Sequence, residues 1–273
     1  MIKKLLTNRV ASICLLILGA FTLAGIFAPV IAPHDPNLSD FTKFFAPISW
    51  EFPLGADHLG RCILSRLIFG IRTTLFYAFF TMLITLSVST VIGIISGNIG
   101  GKIDNFIMRT CDILLSFPSE VMVLSLIGIL GPGITSIIIA NFIAKLPWYV
   151  RMIRSSVIRF NHQNYVLYSN TIETRFRYKL FRHFFPNIAS EIAILASMDI
   201  GWVILSISTL SFLGLGVALP TPEWGAMLSE AKDVLLTNPE QMMYPGVTIM
   251  IVVATCNLLG DSMRELFDPK VRA

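Results

Sequence analysis

Long apolar runs constrain this chain more than any other feature. Val10–Ile31, Thr73–Gly97 and Met242–Gly260 carry no charge at all. Ile188–Leu210 carries only Glu191 and Asp199, and Ile113–Ala144 only Glu120. A hydrocarbon layer about 30 Å thick is crossed by roughly 20 apolar residues in helical form. The chain is 54% hydrophobic and only 14% charged, whereas a soluble domain is nearer a quarter charged. The runs therefore belong in a bilayer. Cys14, Cys62, Cys111 and Cys256 are far apart and form no CxxC pair, so they read as packing residues.

The first run follows Lys3, Lys4 and Arg9, is too long for a signal-peptide core and lacks a small-residue cleavage site. It reads as a retained span. Gly131-Pro132-Gly133 divides the third run, and Gly-Pro-Gly is a strong turn signal, so two short helices joined by a hairpin are expected there. Six spans result, with both termini on the same side. Most of the 21 Lys and Arg then fall on the cytoplasmic segments, as the positive-inside bias requires. Arg61, Arg66 and Arg72, in the outer loop Ala32–Arg72, run against it. Gly93, Gly97 and Gly101 recur every fourth residue, a small-residue face suited to close helix packing.

Between Arg151 and Asn187 lies a basic, aromatic-rich stretch flanked by apolar spans. From His162 to Arg182 it lacks Gly and Pro, and Pro186 sets its helical limit near Phe184 or Phe185. Tyr165, Tyr168, Ile172, Phe176, Leu180 and Phe184 form an apolar face ringed by arginines. A short amphipathic helix of this kind lies on lipid or inserts into a protein groove.

This segment, ending in Pro186-Asn187, resembles the coupling loop of binding-protein-dependent ABC importer permeases. The family's Glu-Ala-Ala, three residues, then Gly falls on Leu167, Tyr168, Ser169 and Glu173, so all four positions are replaced. Pro53-Leu-Gly-Ala-Asp-His-Leu-Gly-Arg61 with Ser65-Arg66 and Gly70-Ile-Arg72 resembles the signature before span two in dipeptide/oligopeptide/nickel permeases. Ser211-Phe-Leu-Gly-Leu-Gly216, Pro222-Glu-Trp-Gly225 and Asn257-Leu-Leu-Gly-Asp261 with Arg264 and Asp268-Pro269 do the same. Gly131-Pro-Gly133, Trp148-Tyr-Val-Arg151 and Met198-Asp-Ile-Gly201 most resemble the nickel branch, in its second, C-type permease subunit.

The resemblance implies an all-α polytopic membrane protein: six transmembrane helices with a cytoplasmic coupling helix, in the type I ABC importer permease fold. Residues 1–72 would hold the first helix and an extracytoplasmic loop, and 73–273 the core, with a coupling loop at about 151–187. The implied partners are a second homologous permease subunit in a heterodimer, two cytoplasmic ABC ATPases, an extracytoplasmic solute-binding protein and the lipid bilayer of a bacterial cell, with no nucleic acid. The implied cargo is nickel or a nickel/metal chelate, or alternatively di- or oligopeptides. No cofactor is implied.

Nor does the chain carry an energy source of its own. It contains no G-x-x-x-x-G-K-[ST]: around Gly100-Gly101-Lys102, Ser96 stands at the first Gly position and Ile103 at the magnesium-binding hydroxyl. There is no H-E-x-x-H or G-x-S-x-G, and His34, His58, His162 and His183 are scattered, which argues against a membrane enzyme. An ion-coupled carrier or channel acting without ATPases remains the reading from a different class; it calls for paired midplane charges or an internal repeat.

Tyr165, Tyr168, Glu173, Arg175, Arg177 and Arg182 are the candidate ATPase-coupling contacts. Asp199 falls near the middle of span five, where an ionised Asp costs roughly 2.5–3.5 kcal/mol. It either faces a path, with Asn141 and Trp202 nearby, or accepts a structural hydrogen bond from Asn141, Ser206 or a partner helix. Glu120 reads as a helix-start carboxylate at the positive end of a dipole. In the last outer loop Glu223, Trp224 and Glu230 line an entrance, receive the binding protein, or belong to an ordinary wet loop.

Overall fold

The computed structural model describes residues 8–161, 163, 164, 168, 174, 178, 182 and 184–267. Its helices are α1 (Arg9–Ile26), α2 (Ala28–Ile31), α3 (Ile63–Ile71), α4 (Tyr77–Ile99), α5 (Gly101–Leu115), α6 (Ser119–Leu130), α7 (Ile134–Asn161), α8 (Phe185–Phe212), α9 (Trp224–Ala231) and α10 (Glu240–Phe267). Five helical segments are long and apolar enough to cross a membrane; α5 and α6, bent by 88° at their break, make a sixth when taken as one span. Among the described residues the architecture is helical, with five or six candidate spans against the six expected.

Local chemistry explains the boundaries. The Asn8 side chain accepts from the Val10 and Ala11 N–H groups, capping α1, and Arg72 donates to the Gly25 and Ile26 carbonyls at its other end. Both helix ends leave backbone groups without internal partners, and these side chains satisfy them. The α5–α6 break falls at Pro118, and α6 starts at Ser119 with Glu120 in its first turn, as the sequence suggests. Gly131 (φ 84°) and Gly133 (φ 146°) occupy backbone regions closed to most side chains, which makes the α6–α7 turn.

Two expectations are corrected. The fourth span is not a short helix ending near Ala144; α7 runs 28 residues to Asn161, absorbing Lys145 and Arg151–Arg159. The second span begins earlier than Thr73. α3 and α4 join through a wider π turn at Arg72–Phe76 into one 37-residue helix, so residue 72 falls inside it rather than at its edge.

The core lies where α4, α7, α8 and α10 meet, around Met82, Ile94, Tyr149, Ile153, Val203, Ile204 and Val252. α4 and α7 approach closely because a Cβ on Gly93 would lie 2.8 Å from the Ile153 Cβ, and one on Gly97 2.8 Å from the Val157 Cβ. Gly101 does not extend this face: it lies in the turn at φ 61° with nothing near its Cβ position. Leu16, Leu23, Ile129 and Met250 remain exposed on the outside of the bundle, where lipid rather than water is the natural contact.

Candidate functional site

The basic residues of α7 are held by acids from other parts of the chain. Lys145 meets Asp199, Arg151 meets Asp112, Arg154 meets Asp104 and Arg159 meets Glu191. Arg154 is two-pronged, Nε to Oδ1 at 2.5 Å and Nη2 to Oδ2 at 2.6 Å, while Ser96 donates to the same carboxylate. Ser156 donates to Glu191, and Asn161 donates to the Gly97 carbonyl. Arg154 is thus a partly buried brace, whereas Arg151 and Arg159 are paired but stay more than half exposed. Of the coupling candidates, Tyr168 and Arg182 are exposed. Tyr165, Glu173, Arg175 and Arg177 lie outside the described residues.

α7 and α8 run antiparallel, since partners step in opposite directions: Asn141 with Ser206, Lys145 with Asp199, Ser156 with Glu191. Lys145 and Asp199 sit near the midpoints of these two 28-residue helices. Lys145 Nζ is 3.4 Å from Asp199 Oδ1, and the Tyr149 hydroxyl donates to Asp199 Oδ2. The Lys145 ammonium also stands 3.9 Å from the centre of the Trp202 ring. Asp199 and Trp202 are therefore brought together, but through Lys145. Asn141 does not reach Asp199: it is fully buried, donating to the Ile137 carbonyl and accepting from Ser206 Oγ at 2.9 Å. Sequence reasoning missed Lys145 and Tyr149 as partners of Asp199, since both lie past Ala144, where the apolar run ends. Their i, i+4 spacing was the available signal.

Below this pair lies an apolar groove of about 480 Å³ between α4 and α8. Its α8 wall runs from Phe185 through Ile192 and Ala196 to Ile200, the residue after Asp199. Its α4 wall runs from Ile94 back to Phe79. The groove follows the first half of α8, and neither Lys145 nor Asp199 lines it.

At the far end of the bundle the outer segments are bolted together. Arg61 Nε binds Asp57 at 2.7 Å and its Nη2 binds Glu230 at 2.8 Å; Arg66 binds the other Glu230 oxygen at 2.5 Å. Two of the three arginines that oppose the positive-inside trend are neutralised in this way. Trp224 is fully buried, its indole N–H donating to the Leu67 carbonyl at 3.0 Å and its ring lying against Gly70. Glu223 is also fully buried, accepting from the Ala226 N–H at 2.8 Å as the cap of α9 and from Thr74 Oγ1 at 2.9 Å. Burial pushes its carboxyl above the ordinary range, opposed by the backbone N–H groups of Gly225 and Ala226 and the Thr74 hydroxyl. Of the three residues expected at an entrance, at a binding-protein contact or in a wet loop, Glu223 and Trp224 are buried within this chain and Glu230 is held by Arg61 and Arg66.

Residues 89–273 match the family model described as binding-protein-dependent transport system inner membrane component. The chain belongs to this family. Residues 1–47 of the permease match the N-terminal TM domain of oligopeptide transport permease C. The permease is 40% identical over 270 residues to the metal-staphylopine import system permease protein CntC of Staphylococcus aureus, covering 99% of this chain and 93% of that one. It is 35% identical to the nickel transport system permease protein NikC of Escherichia coli, over 94% and 93% of the two chains. It is 34% identical to the dipeptide transport system permease protein DppC of Alkalihalophilus pseudofirmus, over 99% and 89%.

Proposed function

We propose that this permease forms half of the translocation path for nickel or a metal chelate in an ATP-driven importer. The family match over residues 89–273 carries this reading, with the likeness to a metal-staphylopine and a nickel permease favouring the cargo. The Lys145–Asp199 pair midway along α7 and α8 supplies a polar step, since charges at mid-membrane are costly and belong to solute pathways by default. Asp199 and Trp202 line the path, and Asn141, one turn from Lys145, sets the adjoining polar step. Residues 1–72 form an N-terminal unit, joined through the unbroken α3–α4 helix to a core of 73–273.

A second homologous permease supplies the other half. Two separate cytoplasmic ATPases hydrolyse ATP and push on Tyr165, Tyr168, Glu173, Arg175, Arg177 and Arg182. An extracytoplasmic binding protein delivers the solute, and both termini face the cytoplasm of a bacterial cell. α7 and α8 flank this coupling segment, and the Arg159–Glu191 and Ser156–Glu191 contacts join them close to it. A push there moves the two as one body, carrying the central pair with them, much as repeats rock about a midplane site in other transporters.

Identity to a dipeptide permease favours a second reading, in which the cargo is a di- or oligopeptide. Uptake of labelled nickel and labelled dipeptide, in cells with and without this chain, separates the two. Loss of nickel uptake on deletion supports the first. Normal nickel uptake beside lost peptide uptake establishes the second.

A further inference from the structure

A cavity of about 600 Å³ opens beside the C-terminal end of α1 and shares no residue with the groove between α4 and α8. Its walls come from the chain just past α1, with Pro29 and Asp35, from Phe69 and Arg72 on the long α3–α4 helix, and from Thr221 and Pro222. We propose that this cavity holds the headgroup of a phosphoethanolamine lipid, its phosphate on Arg72 and its ammonium on Asp35. Three observations carry this.

First, Arg72 has a charge to offer. Its Nε and Nη2 donate to the Gly25 and Ile26 carbonyls, at the negative end of the α1 dipole, and its Nη1 has no partner among the described residues. No described carboxylate lies within ion-pair distance of it, whereas Arg61 and Arg66 both bind Glu230. A guanidinium held in this way suits phosphate oxygens.

Second, Asp35 lines the same cavity and pairs with no described cation; its Oδ1 accepts only the Asn37 N–H. The cavity therefore presents one charge of each sign, and the two do not bind each other. A headgroup with a phosphate and an ammonium answers both. An anionic headgroup answers Arg72 and is repelled by Asp35.

Third, the rim is apolar and faces outward. Ile26, Phe27, Val30 and Ile31 are all exposed, Val30 at 83%. They continue from α1, itself a candidate membrane span, so the acyl chains of a lipid seated here lie along that helix. The volume falls within the roughly 300–1,000 Å³ of small-molecule sites.

The test is native mass spectrometry of the complete transporter (this chain, partner permease, ATPases and binding protein), delipidated in detergent. The probes are dioleoyl phosphatidylethanolamine, dioleoyl phosphatidylglycerol and soluble phosphoethanolamine, the last separating a lipid from a free headgroup. The ethanolamine lipid binds about tenfold more tightly than the glycerol lipid, the worth of about one charged hydrogen bond, and soluble phosphoethanolamine binds more weakly than either. Asp35→Asn, which still accepts from the Asn37 N–H, keeps the thermal midpoint and loses the preference. Arg72→Gln weakens both lipids; because Arg72 also caps α1, Asp35→Asn decides. Equal affinity for the two lipids, a preference that survives Asp35→Asn, or soluble phosphoethanolamine binding as tightly as the lipid overturns the proposal. Lipid binding unaltered in both variants, beside weakened docking of the binding protein, overturns it too and assigns the cavity to that protein.

Discussion

Arg154 grips Asp104 with two parallel hydrogen bonds, tying α7 to α5 across 50 residues of sequence. Both side chains are partly buried, so removing one leaves a charge facing poorly solvating surroundings. Asp104→Asn should destabilise the protein by about 1–3 kcal/mol, lowering its thermal midpoint in detergent. Arg154→Met combined with Asp104→Asn should recover most of that loss. An additive loss in the double variant would show that the two residues act separately.

The α4–α7 contact depends on missing side chains. Gly93→Leu and Gly97→Leu each drive carbon into Ile153 or Val157, at a cost of about 1–3 kcal/mol. Gly19→Ala, a helical position with open space around it, should be neutral or slightly stabilising by the same thermal measurement.

Trp224 fills the site beside Gly70. Trp224→Ala should cost about 3–5 kcal/mol by emptying a packed site. Trp224→Phe should cost less, chiefly the hydrogen bond to Leu67, about 1 kcal/mol. Equal losses in the two variants would contradict a packing role.

These sites show what the sequence conveys and where it stops. Apolar runs locate the spans, Gly131-Pro132-Gly133 locates the turn that divides one of them, and Gly93 with Gly97 marks a helix contact, whereas the 88° bend at Pro118 was not foreseen. The length of α7 was not legible, because Lys145, Arg151, Arg154 and Arg159 read as solvated charges. Their acids come from Asp199, Asp112, Asp104 and Glu191, and sequence order does not announce such pairings. Arg61 and Arg66 likewise looked like exceptions to a topology rule until Glu230 came within reach. Asp199 stood out by its cost in an apolar run, whereas the lysine that pairs with it did not.

Glu223 gives stability a pH dependence. Burial raises its folded carboxyl above the unfolded one, so the native state binds the proton more tightly. Below the unfolded value both states are protonated and nothing is lost. As pH rises from there through the raised folded value, this contribution to stability declines. Glu223→Gln should flatten that part of the thermal-midpoint profile; an unchanged slope would remove Glu223 as its source.

Nucleotide dependence tests the central claim most directly. The complete transporter, reconstituted with its binding protein and loaded with ATP, should accumulate labelled nickel, its histidine chelate or the dipeptide. The same vesicles with a non-hydrolysable nucleotide should not. Equal accumulation in the two would contradict a motor-driven permease and establish an ion-coupled carrier or channel.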